Sequence, residues 1–247
     1  MTINGKSLII VNSAVSYESG ISWKSANKHT EAIDYGIGTD HLSAKISVWG
    51  TVAEITEFRN EMPNVSDVLE ATFSKGEKPF GPAFDCEDGY EYLLTGIDDM
   101  ATTGKGIAQM SFQIAALWEN PELAPKWAYD AIEFSLANFA VQEVRRESEE
   151  SKFVSQKESG WSAFRHGWSR PEFKLSLLAN SQVMGGTIRW LLTKGRRTPF
   201  QVSCNDSMAL VDSQNEQSAL LLSFGNLRRF GNSGMWQADF DFARAVV

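Results

Sequence analysis

The chain has 247 residues, of which 43% are hydrophobic and 11% aromatic, which is enough to bury a core and excludes a disordered or low-complexity protein. Its formal net charge of -8 disfavours general binding along a nucleic-acid backbone, because proteins that bind in this way are usually basic. The apolar stretch Leu8–Val11 is too short for a signal-peptide core, and no run approaches the ~18 apolar residues of a membrane span. The sequence therefore predicts a globular protein without a membrane segment.

A strand followed by a helix is the clearest pattern in the first half. Residues 17–40 are polar and dotted with glycine, which indicates a long protruding hairpin or loop. Residues 43–48 then alternate apolar and polar, as in a half-buried strand. Thr51 and Glu54 have the spacing of a capping box, and Pro63 ends the helix that follows. The apolar positions of this helix recur at steps of three and four residues: Val52, Ile55, Phe58 and Met62.

The second half follows the same order. Residues 142–157 are polar and include the charge run 145–150, which indicates a solvated loop or the arms of an exposed hairpin. Residues 172–177 alternate as a strand, and Asn180 or Ser181 can cap a helix that stops near Gly195. Its apolar positions are again helically spaced: Met184, Ile188, Leu191 and Leu192.

These similarities predict an internal repeat. The two strands before the helices are 129 positions apart, and the segments 93–95 and 221–223 are matched at a spacing of 128. At the same spacing Gly106 meets Gly234, and three alternating apolar positions meet three others: Met110, Phe112 and Ile114 with Ala238, Phe240 and Phe242. Agreement in phase is informative, since a slip of one residue would invert both faces of a strand. The alternative is that two unrelated segments share common strand and helix patterns.

The repeat predicts a mainly β protein, with a β-barrel or sandwich and one short α-helix in each of two tandem domains. We place the domains at residues 1–120 and 121–247, with a connector at about 119–128 that carries two prolines in five residues. Charge divides unequally between them, with 8 basic and 17 acidic residues in the first half against 15 and 14 in the second.

No constellation of residues predicts catalysis. Asp40 and His41 are adjacent, so on a strand they would point to opposite faces, and His166 lies in an aromatic, turn-rich stretch. The acidic residues 85, 87 and 88 lack the spacing of a calcium loop. Cys86 and Cys204 are interpreted as small hydrophobic residues near strand ends. We therefore predict no catalytic residue, no cofactor and no bound metal.

Tryptophan is abundant, with eight residues in the chain. Trp23, Trp161 and Trp168 lie outside the predicted regular elements, where aromatic side chains bind sugars or anchor protein interfaces. Trp236, within a strand pattern, is interpreted together with Trp190 as a core or subunit contact. Four of these tryptophans are the candidate interface or stacking aromatics: Trp23, Trp161, Trp168 and Trp236.

The order of motifs in the second half resembles the minor tail proteins of long-tailed bacteriophages, in particular the distal tail and tail-tube β-barrel family. In that family a strand leads to a helix that ends near a small-residue and aromatic step. Two further strands follow, and the last carries a tryptophan. The matching segments of this chain cover about 80 residues and lie at 168–177, 188–190, 195–200, 222–224 and 235–240. Residues 43–117 match more faintly, and the duplication departs from a simple tube protein.

The resemblance implies a structural protein of the distal tail, tail tip or baseplate, assembled in the host bacterial cytoplasm into the virion. Its barrels would join edge to edge with copies of itself in a ring, either a trimeric pseudo-hexamer or a hexamer. The ring would contact neighbouring tail-tube and baseplate-hub proteins and let DNA pass without specific binding. The acidic first half would line the channel and repel DNA.

Two alternatives remain open from the sequence. One is a carbohydrate-binding β module of a phage or bacterial adsorption apparatus, with Trp23, Trp161 or Trp168 as stacking platforms. The other is a hydrolase of a family without a recognisable motif.

Overall fold

The strands and helices are defined in most of the chain. The computed structural model describes residues 1–3, 6–18, 21–26, 29–34, 41–74, 77–85, 90–116, 126–149, 152–157, 160–165, 170–195, 198–203, 216–231 and 233–244. The first half contains strands β1 Thr2–Ile3, β2 Lys6–Ser7, β3 Ile9–Glu18, β4 Ile21–Ala26, β5 His29–Asp34, β6 His41–Thr51, β7 Val68–Ala71, β8 Phe84–Asp85, β9 Tyr90–Ile97, β10 Ala101–Gly104 and β11 Ile107–Ala116, and helix α1 Val52–Glu61. The second contains strands β12 Lys126–Trp127, β13 Ala140–Glu149, β14 Lys152–Lys157, β15 Gly160–Arg165, β16 Arg170–Asn180, β17 Phe200–Ser203, β18 Glu216–Phe230 and β19 Met235–Arg244, and helix α2 Ser181–Trp190.

One large antiparallel sheet runs through both halves. It has 11 strands, in the order β13-β16-β19-β18-β3-β6-β11-β9-β7, with β10 added to β11 and β17 added to β18. This confirms the predicted mainly β class with one helix in each half. The sheet is not a closed barrel, however, because the end strands β13 and β7 do not pair in the described chain. A closed barrel in each half would need β3 to pair with β7, or β13 with β17, and neither pair is found in the described residues. The predicted closed barrels are therefore not formed.

The two halves share one topology. The strand order β3-β6-β11-β9-β7 in the first half recurs as β13-β16-β19-β18-β17 in the second. Irregularities recur as well, since a bulge at Val11 of β3 has its counterpart at Gln142 of β13. The position of a β-bulge is usually kept within a protein family, so a bulge at equivalent positions of both halves supports the duplication strongly.

The register corrects one spacing in the predicted repeat. Leu94 lies opposite Ile114 and Leu221 lies opposite Phe242, so the equivalent positions of β9 and β18 are 127 apart rather than 128. The spacing differs from that of β11 and β19 because the turns before those strands differ in length: Gly104 pairs with Ile107, whereas Phe230 pairs with Met235.

A hairpin follows the first long strand of each half. In the first half it lies within the predicted segment 17–40, but in the second half the predicted segment 142–157 is mostly part of β13 in the large sheet, and the hairpin lies at residues 152–165. β4 pairs with β5, and β14 pairs with β15, with every strand bound shifted by 131 positions between the copies. Both hairpins leave the sheet at the end where β3 and β13 finish and where β6 and β16 begin.

The two helices begin where their caps predict. In α1, Thr51 Oγ1 accepts from Glu54 N at 3.2 Å, and Glu54 Oε2 accepts from Thr51 N at 2.8 Å, which completes the capping box. In α2, Asn180 Oδ1 accepts from Val183 N at 2.9 Å. A π-helical turn over Leu191–Gly195 follows, so the predicted stop at Gly195 is confirmed.

One face of the sheet is covered by the helices and forms the core. Ile55 and Phe58 of α1 are buried there, and the rings of Phe58 and Phe112 lie 6.1 Å apart. Phe80 and Phe84 come from the segment after β7 and join the same core. No helix in the described part of the chain is long and apolar enough to cross a membrane.

Candidate assembly interface

The two halves are joined by a strand pair that we call the seam. It consists of β18 and β3, which are antiparallel, with Ser223 opposite Glu18, Phe224 opposite Tyr17 and Leu227 opposite Val15. The seam makes the C-terminal unit continuous with the N-terminal unit in one sheet. It is a head-to-tail contact, because β18 and β3 occupy different places in the repeated topology.

Aromatic packing stabilises the seam. The rings of Tyr17 and Phe224 are stacked, with centroids 5.3 Å apart and planes 20° apart. Phe224 lies 5.8 Å from Phe240, which stacks on Phe242 at 6.1 Å. Tyr17, Phe224, Val15 and Leu227 are all buried. Full burial of each large apolar side chain contributes roughly 1.5–3 kcal/mol, so this row of side chains stabilises the seam. The halves also meet where β8 pairs with β12 and the ring of Phe84 stacks on Trp127 at 4.9 Å.

Trp236 belongs to the packed interior near the seam. It is 3% exposed, its Nε1 donates to Ser181 Oγ at 3.0 Å, and the Arg229 guanidinium lies 5.5 Å from its ring centre. Its hydrogen bond to Ser181 connects β19 to the start of α2. Trp190, interpreted with it, packs edge-on against Phe200 at 5.1 Å.

The other candidate aromatics fall where side chains are not described. Trp23 occupies β4 opposite Ala32, and Trp161 occupies β15 opposite Gln156, so both lie in the hairpins that leave the sheet. Trp168 lies outside the described residues. Asp40, Cys86, Glu87, Asp88, His166, Cys204 and most of the connector also lie outside them.

The face of the sheet away from the helices is polar, and its side chains bind one another. We call it the polar face. Ser47 and Ser111 hydroxyls are 2.8 Å apart across β6 and β11. The equivalent residues of the second half include Ser176, which accepts from Gln237 Nε2 at 3.1 Å.

Charges on the polar face are paired as well. Lys45 Nζ lies 2.7 Å from Asp98 Oδ2, and Lys174 Nζ lies 3.9 Å from Asp241 Oδ1. Asp239 accepts from the Asn226 amide at 2.6 Å. Exposed pairs of this kind add little stability but cancel local charge. Such a surface attracts a polyanion only weakly.

Among the described side chains, the carboxylates of the first half are not confined to the polar face. The central strands β6 and β11 present serine, glutamine and Lys45 there. Exposed carboxylates of α1 lie across the sheet, on the helix side, at Glu54, Glu57 and Glu61. The overall charge of a half does not determine which face carries it.

An apolar patch at one end of the polar face was not predicted from the sequence. Trp49 is 45% exposed and lies opposite Ile9, which is 75% exposed. Val11 and Ile107 are exposed at the same end of the strands. The signal was the run Leu8–Val11, since a strand that is apolar at successive positions places apolar side chains on both faces.

No group of histidine, cysteine, aspartate or glutamate side chains in the described chain is arranged to hold a metal ion. Neither a protein-family model nor a curated protein sequence matches this chain. The candidate functional features among the described residues are the seam and the polar face.

Proposed function

We propose that this chain is a structural subunit of the distal tail, tail tip or baseplate of a tailed bacteriophage, and that copies of it assemble side by side into a ring around the DNA channel. The observation that carries the proposal is the seam, a head-to-tail union of two copies of one unit in a single sheet. A head-to-tail contact that is repeated between chains generates a ring when its rotation closes. The resemblance of the motif order to tail proteins supplies the biological setting.

The polar face fits the wall of a channel through which DNA passes. Its hydroxyl, amide and paired charged side chains present little net positive charge to a phosphate backbone. The protein performs no chemical step in this proposal. Three chains would supply six units, and six chains would supply twelve.

Electron microscopy tests the ring directly. Purified protein is examined by negative stain and by sedimentation over a range of concentrations, alone and mixed with the tail proteins encoded beside it. The expected result is a closed ring with an open centre. A chain that stays strictly monomeric at high concentration and in those mixtures would overturn the proposal. A tape-measure gene upstream and a hub gene downstream would support the tail setting.

One observation favours a second function, that of a carbohydrate-binding module. Trp49 presents an exposed indole on a sheet face, beside the polar Gln109 in the same row. An indole with neighbouring polar groups is the usual platform for stacking a sugar ring. A glycan array that compares the wild type with Trp49→Ala tests this function, and loss of a signal in the variant supports it. An array on which the wild type binds nothing would rule it out for the glycans present.

A further inference from the structure

In the described residues the chain makes the seam once, and the equivalents of its two strands lie towards the two ends of the sheet. In the repeated topology, β9 with β10 corresponds to β18, and β13 corresponds to β3. Each of the two strands that form the seam thus has an equivalent strand elsewhere in the chain. In the described residues, β13 is the end strand of the sheet. β7 and the turn before it cover β9 at residues 90–94, where Leu94 N donates to Asp67 O and Ser66 N donates to Leu94 O.

We propose that the edge formed by residues 96–101 pairs with β13 of a second copy of this chain, in the register of the seam. The inference rests on the proposed function and specifies its contact. Positions 223, 224 and 227 of β18 correspond to Gly96, Ile97 and Met100, at a constant spacing of 127. Positions 15, 17 and 18 of β3 correspond to 146, 148 and 149, at a spacing of 131.

Transfer of the observed pairs defines the contact between chains. Gly96 is placed opposite Glu149, Ile97 opposite Ser148 and Met100 opposite Arg146. The antiparallel direction and the irregularity after position 97 follow from the seam, because Phe224 and Leu227 are separated by the same number of residues as Ile97 and Met100.

The exposure of Met100 supports this assignment. Its side chain is 40% exposed, whereas Leu227 at the equivalent position is fully buried in the seam. In the seam Leu227 lies opposite Val15, and its side chain also approaches Gly81. Pairing with a second chain would place a strand beside Met100 in the corresponding way. An edge strand that presents free backbone groups is also a ready template for another strand, and β13 is ten residues long.

The contact between chains differs from the seam in composition. The stacked pair Tyr17 and Phe224 is replaced by Ser148 and Ile97. Glu147 stands where β3 has Ser16, and the register places it opposite Asp98 and Asp99. We infer that this contact is weaker than the seam, because it lacks the aromatic pair and places carboxylates opposite one another.

Disulfide trapping tests the register. In a background with Cys86→Ala and Cys204→Ala, one variant carries Met100→Cys and a second carries Arg146→Cys. Mixed under oxidising conditions, the two variants are expected to form a covalent dimer, and neither is expected to do so alone. The intrachain control carries Val15→Cys and Leu227→Cys, and it is expected to form a disulfide without any dimer.

The outcomes separate the contact from the function. Dimers in the mixture, with or without a closed ring, support the contact. Closed rings without this cross-link would overturn the contact and leave the proposed function standing. Dimers formed by Met100→Cys alone would show a symmetric pairing of like edges and overturn the inference.

A charge at the contact provides a second measurement. Met100→Lys is expected to raise the concentration needed for assembly by about tenfold or more, because a position that becomes buried opposite Arg146 would then carry a like charge. Ile107→Lys is the matched control, since this exposed residue lies on the internal strand β11. Equal assembly of the Met100→Lys variant and the wild type would contradict the inference.

Discussion

The glycines of α2 allow a sharp test of how the second helix is packed. Gly185 and Gly186 lie against the segment that enters the second half, with the Ile132 amide donating to the Gly186 carbonyl at 3.0 Å. A Cβ built on Gly186 would lie 2.6 Å from the Asp130 backbone carbonyl oxygen and 2.7 Å from Ile132 Cγ1. The equivalent positions of α1 are Thr56 and Glu57, which are exposed. The close approach is therefore peculiar to α2.

We predict that Gly186→Ala destabilises the protein. In an exposed helix the substitution would stabilise by about 1 kcal/mol, because alanine has the higher helix propensity. Here the added methyl group must move backbone by several tenths of an ångström, and overpacking of this kind costs roughly 1–3 kcal/mol. The clash outweighs the propensity, which leaves a net loss of about 1 kcal/mol and a Tm lower by roughly 2–4 °C.

Urea unfolding followed by circular dichroism measures the change, at one fixed protein concentration because assembly shifts apparent stability. Gly225→Ala is the matched control, since a Cβ at Gly225 meets no atom within 4 Å. It is expected to be neutral or slightly stabilising. A Gly186→Ala variant that is as stable as the wild type would refute the packing of residues 130–132 on α2.

Three further predictions concern single side chains. Thr187 Oγ1 is buried without a hydrogen-bond partner in the described structure, so Thr187→Val is expected to raise the free energy of unfolding by about 1 kcal/mol, with an unchanged or lower stability contradicting this. Thr51→Ala removes the cap of α1 and is expected to cost about 1 kcal/mol in urea unfolding at pH 7. Hydrogen bonds from the Thr51 backbone and then its side chain lower the pKa of Glu54, so the part of the cap that the Glu54 carboxylate supplies is present at neutral pH and is lost as the pH falls through that lowered pKa. The Thr51→Ala deficit should therefore shrink in acid only in part, because Thr51 Oγ1 still accepts from Glu54 N there, and a deficit that grows in acid would contradict the assignment. Tyr17→Ala should cost about 3–5 kcal/mol in the same assay, because it leaves a cavity against Phe224 at the seam, and a loss below about 1 kcal/mol would show that the seam is not packed as described.

The local features of this chain were determined by its sequence. The cap at Thr51, the stop near Gly195 and the alternation in β6 and β16 depend on residues only a few positions apart, so their patterns predicted the elements directly. The duplication was also visible, because equivalent strands kept their phase. The positive-φ turn at Gly104–Gly106 before β11, and its counterpart Gly234, could be predicted on the same local grounds.

Only the tertiary structure decided how the two units meet. The seam joins Tyr17 to Phe224 across more than 200 positions, and nothing in either strand marks which edge it will bind. The sequence alone also did not show which residues of β9 and β18 are equivalent, or that β7 and β17 occupy equivalent places. The predicted barrel was wrong, and the sheet is open, because closure of a barrel depends on which strand edges pair and not on the pattern within any strand. Met100 is exposed whereas the equivalent Leu227 is buried, and the proposed contact between chains depends on this difference. The difference could not be predicted from the sequence, because it depends on which strand edges are paired in the fold.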